Sequence, residues 1–148
     1  MIEESLEEAR EGIKRVDHLF YVSLKYTRTV DMMRNLIDRI ISTFDASFDS
    51  LLQFAEQKKK IASAPETPAT KAEAVSKLYP NTKKYTDLYL LLRKLTREPY
   101  TKREEYRRHV TMISTVGDKI VETDIDILKD YYDKIAEFLR FVEETIRE

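Results

Sequence analysis

One unbroken apolar stripe near the front of the chain constrains the fold more than any other feature. Val30, Met33, Ile37, Ile40, Phe44, Phe48, Leu51 and Ala55 recur at alternating short steps. Steps of three and four place side chains on one face of an α-helix. Leu36, Ile41 and Leu52 widen the stripe. A stripe this wide needs partners on two sides, as in a bundle. The spacing predicts a helix from about Val30 to Lys60. Thr29 caps it, Asp31 lies in its first turn, and Lys58, Lys59 and Lys60 complement the dipole at its end.

The flanking segments supply those partners. Leu6, Ala9, Ile13, Val16, Phe20 and Leu24 predict a helix over Glu3 to Lys25, with Ser5 as a candidate cap. Gly12 inside it costs on the order of 1 kcal/mol against alanine, a cost consistent with a close helix approach. Lys25 to Thr29 is a tight connection. Ala62 to Thr70, with two prolines, is a mobile internal loop. A short helix follows over Lys71 to Leu78. Another, capped by Asn81 or Thr82, carries Tyr85, Leu88, Leu92 and Leu95 to Thr96, and Glu98-Pro99 ends it. Thr101 and Glu104 have the spacing of a capping box. They predict a further helix with Tyr106, Val110 and Ile113 on its stripe. Ser114 to Lys119, around Gly117-Asp118, is a turn. Thr123 caps the last helix, whose stripe runs from Ile125 through Leu128, Tyr132, Ile135, Leu139 and Val142 to Ile146.

With two glycines and four prolines in 148 residues, the chain has little room for the turns of an all-β fold. The expectation is a single domain over residues 1–148. It is an all-α, up-and-down helical bundle of four long helices plus one or two short helices.

There is no cysteine, so disulfides and thiolate metal sites are excluded. The acidic start Met1-Ile-Glu-Glu argues against a signal or transit peptide, and no apolar run approaches membrane-spanning length. These features lead to the expectation of a soluble cytoplasmic protein without membrane contact. No glycine-rich phosphate loop or nucleophile elbow occurs. Neither histidine has a glutamate three positions before it, as a bundle di-metal site would need. No metal site and no cofactor are therefore expected. His18, at the edge of the first stripe, reads as a boundary residue.

The net charge of −1 hides an asymmetry. Arg93 to Arg108 holds seven basic residues against three acidic, whereas Asp118 to Glu148 holds five basic against ten acidic. The basic stretch is densest at Lys102, Arg103, Arg107, Arg108 and His109. Histidine titrates near neutrality and transfers protons, and arginine offers a planar donor fork to phosphate. Arg103 and His109 are the candidate catalytic pair. Lys102, Arg107 and Arg108 are candidates for phosphate or RNA contacts, which would give salt-sensitive affinity without sequence specificity. On one regular helix Arg103 and His109 stand about 120° apart. A joint site would need a distorted helix or a second copy related by a two-fold axis.

A helical bundle with Arg103-Glu-Glu-Tyr-Arg-Arg-His109 ahead of a terminal amphipathic helix resembles the HEPN (higher eukaryotes and prokaryotes nucleotide-binding) superfamily. The bundle covers most of the chain, while the motif is short. Glu104 stands where that family often has a small polar residue. The resemblance implies a homodimer whose two motif copies line one cleft. The activity it implies is metal-independent endoribonuclease action, or binding of RNA or a nucleotide without catalysis. The alternative from the residues alone is a non-enzymatic helical protein-interaction or scaffold module that binds a protein partner through exposed helix faces.

Overall fold

The computed structural model describes residues 2–147. Helix α1 spans Ile2–His18, runs through a π-helical turn at Leu19–Ser23 and ends in the single turn α2, Leu24–Tyr26. Helix α3 (Val30–Gln57) follows, then α4 (Pro68–Leu78), a 3-10 turn (Pro80–Thr82) and α5 (Lys83–Arg97). Three strands come next: β1 (Tyr100–Arg103), β2 (Thr111–Val116) and β3 (Lys119–Thr123). Helix α6 (Ile125–Arg147) follows them.

Helix α3 is the hub, packed against α1, α4, α5 and α6. Met33, Leu36, Ile37, Ile40, Phe44, Phe48 and Leu51 are fully buried along it. Each such side chain contributes roughly 1.5–3 kcal/mol by leaving water. At the centre, Phe44, Phe48, Tyr89 and Phe138 pack ring against ring, with centroids as close as 4.8 Å between Phe48 and Tyr89. Gly12 lets α1 approach α3 closely. A Cβ there would lie 2.4 Å from the Thr43 hydroxyl oxygen.

The local signals follow the sequence only in part. The Thr29 hydroxyl accepts the Met32 N–H at 3.1 Å and caps α3. Helix α4 begins earlier than expected, because Pro68 takes the first helical position and Thr67 with Thr70 forms a capping box. Asp124 rather than Thr123 caps α6, accepting the Ile127 N–H at 2.9 Å. Helix α3 stops at Gln57, short of Lys60. Lys59 adopts a left-handed φ of 60°, and Lys60 N–H reaches back to the Ala55 carbonyl at 2.8 Å. This is a Schellman closure with lysine at the position where glycine is favoured.

The expected all-α bundle is corrected between α5 and α6. The helix expected from Thr101 does not form. The segment makes an antiparallel sheet of order β1-β2-β3. Of the residues expected in the turn after that helix, 114–116 belong to β2 and Lys119 to β3, while Gly117-Asp118 form the turn. Val110 to Val116 is rich in β-branched residues, Lys119 to Thr123 continues the pattern, and Gly117-Asp118 joins them. Val116 pairs with Lys119, so the loop is two residues long. Gly117 has φ 65°, a value open to glycine at the first position of a II′ hairpin turn. Met112 and Ser114 face inward and are buried. Arg34 donates to the Leu95 and Thr96 carbonyls and lies 4.1 Å over the Tyr100 ring, fixing the sheet to α3 and α5.

Candidate nucleic-acid interface

The basic segment is a β-turn-rich loop between β1 and β2. Two of its residues, Glu104 (φ 54°) and Tyr106 (φ 66°), hold left-handed backbone. Each costs about 1–2 kcal/mol for an L-residue, so other contacts must hold the loop. Tyr106 N–H donates to the Arg28 carbonyl at 2.6 Å. The Glu105 carboxylate accepts the Val30 N–H at 2.8 Å, an anion set on the N-terminus of α3. Lys102 extends its ammonium to Asp31 at 3.4 Å and Glu105 at 3.8 Å. The hydrogen bond to Asp31 holds the Lys102 ammonium above the usual lysine range. The loop is thereby pinned to the start of α3, and its tip faces outward.

The five sequence-predicted residues divide into two groups. Lys102 and Arg103 are engaged within the fold. Arg103 pairs with Glu122 at 2.5 Å, reaching across β2 on the outer face of the sheet. Arg107, Arg108 and His109 are exposed, and among the described residues none has an ion-pair or side-chain hydrogen-bond partner. Arg108 and His109 line a 240 Å³ concavity with Arg28, Asp124, Ile125 and Asp126. Arg103 does not contribute to it. The structure joins His109 to Arg108 and Arg28, not to Arg103.

Arg28 and Tyr106 are the residues that sequence reasoning missed. Arg28 sits in the connection after α2, where no periodicity marks it. Its Nε is buried without a hydrogen-bond partner among the described residues. Tyr106, expected on an apolar helix stripe, is 75% exposed. Tyr26, two residues before Arg28, is 82% exposed. Exposed aromatic rings beside unpaired guanidinium groups can stack planar groups and bind phosphates. Among the described residues, no group of three or more carboxylate or imidazole side chains could hold a metal ion, and no helix is long and apolar enough to cross a membrane. No protein-family model, no curated protein and no solved structure matches this chain.

Proposed function

We propose that the protein binds single-stranded RNA through the Glu104–His109 loop. The observation that carries this reading is a pinned loop, strained at two residues, that projects Arg107, Arg108 and His109 with no counter-ion among the described residues. Backbone strain of this kind persists where surrounding contacts enforce it, and it gathers at ligand-binding sites. Tyr106 adds a stacking surface at the same tip. Arg107 and Arg108 contact phosphates, Tyr106 stacks a base, and Lys102 acts mainly in holding the loop.

The test is fluorescence anisotropy with a short mixed-sequence RNA at several salt concentrations. Replacing Arg107 and Arg108 together by alanine lowers affinity and flattens the salt dependence. Unchanged affinity and an unchanged slope refute the reading. Cleavage by Arg103 and His109, in the manner of an HEPN-like ribonuclease, additionally requires that Arg103 leave Glu122, or that a homodimer supply a second Arg103. Mixed RNA incubated in EDTA with wild type and His109→Ala tests it, and equal cleavage by both removes His109 as catalyst.

One observation favours a protein partner instead. Ile120 is 71% exposed on β3, an edge strand of the sheet. Unpaired strand edges with exposed apolar residues invite pairing with another chain. Absence of RNA binding at low salt supports this second reading over the first.

A further inference from the structure

The polar concavity at Arg28, Arg108, His109, Asp124 and Asp126 has an apolar neighbour. A second pocket, of 180 Å³, is lined by Phe20, Tyr21, Leu24, Lys25, Arg28 and Ile125. The two share Arg28 and Ile125 as common walls. Their volumes together fall within the roughly 300–1,000 Å³ of small-ligand sites. The apolar side is built by the π-helical turn Leu19–Ser23, an interruption that changes side-chain phase along the helix and recurs at functional sites. Tyr21 on this turn is 48% exposed, with its ring edge-on to Phe20 at 5.0 Å.

We propose that these two adjacent pockets hold one nucleotide unit, with the base against Phe20 and Tyr21 and the phosphate between Arg28 and Arg108. The proposal rests on the RNA-binding reading and extends it to a built subsite. Arg28 lines both pockets, and its buried Nε has no acceptor among the described residues. A guanidinium carries five N–H donors in a planar fork, and a phosphate entering the pocket meets those on the terminal nitrogens, since Nε itself is closed to solvent. The two carboxylates of the polar pocket balance the two guanidinium groups in number and have separate roles. Asp124 is committed to the Ile127 N–H at 2.9 Å, on the N-terminus of α6. Asp126 is exposed on the wall and accepts a hydrogen bond from a ribose hydroxyl. That contact selects ribonucleotide over deoxyribonucleotide, since the 2′-hydroxyl is what distinguishes the two.

Two sources present the same chemistry, a free mononucleotide and an unpaired nucleotide within RNA. The experiment titrates AMP, dAMP, inorganic phosphate and a short single-stranded RNA into the labelled protein, followed by NMR. Affinities are measured for wild type, Arg28→Gln, Tyr21→Ala and Tyr21→Phe. The proposal expects AMP and RNA each to shift Phe20, Tyr21 and Ile125 resonances, with AMP tighter than dAMP. Arg28→Gln and Tyr21→Ala each weaken binding about tenfold, and Tyr21→Phe binds as wild type. Shifts from RNA but not from AMP assign the subsite to a nucleotide within a strand. Shifts from AMP without RNA binding support the pocket while refuting the loop reading.

Two results overturn the proposal. In one, phosphate binds as tightly as AMP with no shift at Phe20 or Tyr21. In the other, RNA affinity depends on Arg107 and Arg108 but not on Arg28 or Tyr21, so that the loop reading survives alone. The resonance map on wild type decides the matter even if Tyr21→Ala fails to fold.

Discussion

Glu105 ties the candidate loop to the helical core, and its removal tests how the site is held. Its carboxylate accepts the Val30 N–H at 2.8 Å across a separation of 75 residues. Val30 is fully buried, and the Thr29 cap serves Met32 instead. Glu105→Ala therefore leaves a buried donor unpaired, at about 1–3 kcal/mol. It also removes an anion from a helix N-terminus, about 0.3–1 kcal/mol. Relaxation of the left-handed Glu104 and Tyr106 offsets part of this, giving a net loss of about 2 kcal/mol. For a chain of this size that lowers Tm by about 4–8 °C. Glu105→Gln keeps an acceptor oxygen and loses only charge, so its Tm falls by at most about 4 °C. Thermal and urea denaturation measure both, and amide exchange at Tyr106 quickens in the alanine variant. If the alanine variant melts within about 1 °C of wild type, or if glutamine costs as much as alanine, the Glu105 hydrogen bond does not hold the loop.

Three further outcomes are expected. Lys59→Gly relieves the left-handed residue that closes α3 and raises stability by about 0.5–1 kcal/mol in urea denaturation; a loss of stability refutes the Schellman assignment. Gly12→Ala gains helix propensity of about 0.5–1 kcal/mol, but its Cβ would lie 2.4 Å from the hydroxyl oxygen and 3.2 Å from the Cβ of buried Thr43. Overpacking of about 1–3 kcal/mol outweighs that gain, so the variant is less stable, and adding Thr43→Ala recovers the loss. A Gly12→Ala protein more stable than wild type contradicts the close helix contact. Finally, burial and then the 2.5 Å hydrogen bond to Asp45 hold the Tyr89 phenol well above its ordinary value of 10.0. Above pH 10.0 the unfolded tyrosine ionises while the folded one keeps its proton, so stability is complete below that pH and falls as pH rises beyond it. Melting from neutral to strongly alkaline pH shows a shallower decline in Tyr89→Phe, and an identical slope in both proteins counts against the Tyr89–Asp45 contact.

Helices α1, α3, α5 and α6 were legible in the sequence because their information is local. A three-four apolar stripe fixes both the period and the buried face, and Thr29 and Glu98-Pro99 mark ends through contacts within a few residues. The segment from Thr101 misled for the same reason. Tyr106, Val110 and Ile113 imitate a helical stripe, and Thr101 with Glu104 imitates a capping box. The contrary signal was present in the β-branched run Val110–Val116, the Gly117-Asp118 loop and the second run that follows. What decided between them was tertiary. Met112 and Ser114 bury against the helices only as strand residues, and Glu105 satisfies the α3 N-terminus only from a loop.

The candidate site divides in the same way. The basic residues Arg107, Arg108 and His109 were visible as a charge cluster, because charge density is a property of the chain itself. The pairing of Arg103 with Glu122 depended on strand register, and the arrival of Arg28 beside Arg108 depended on where the connection after α2 meets the sheet. Neither leaves a periodic trace in the sequence. Local patterns thus determined the helical scaffold and the cationic stretch, while long-range packing decided which of those cations are neutralised and which remain free to meet a ligand.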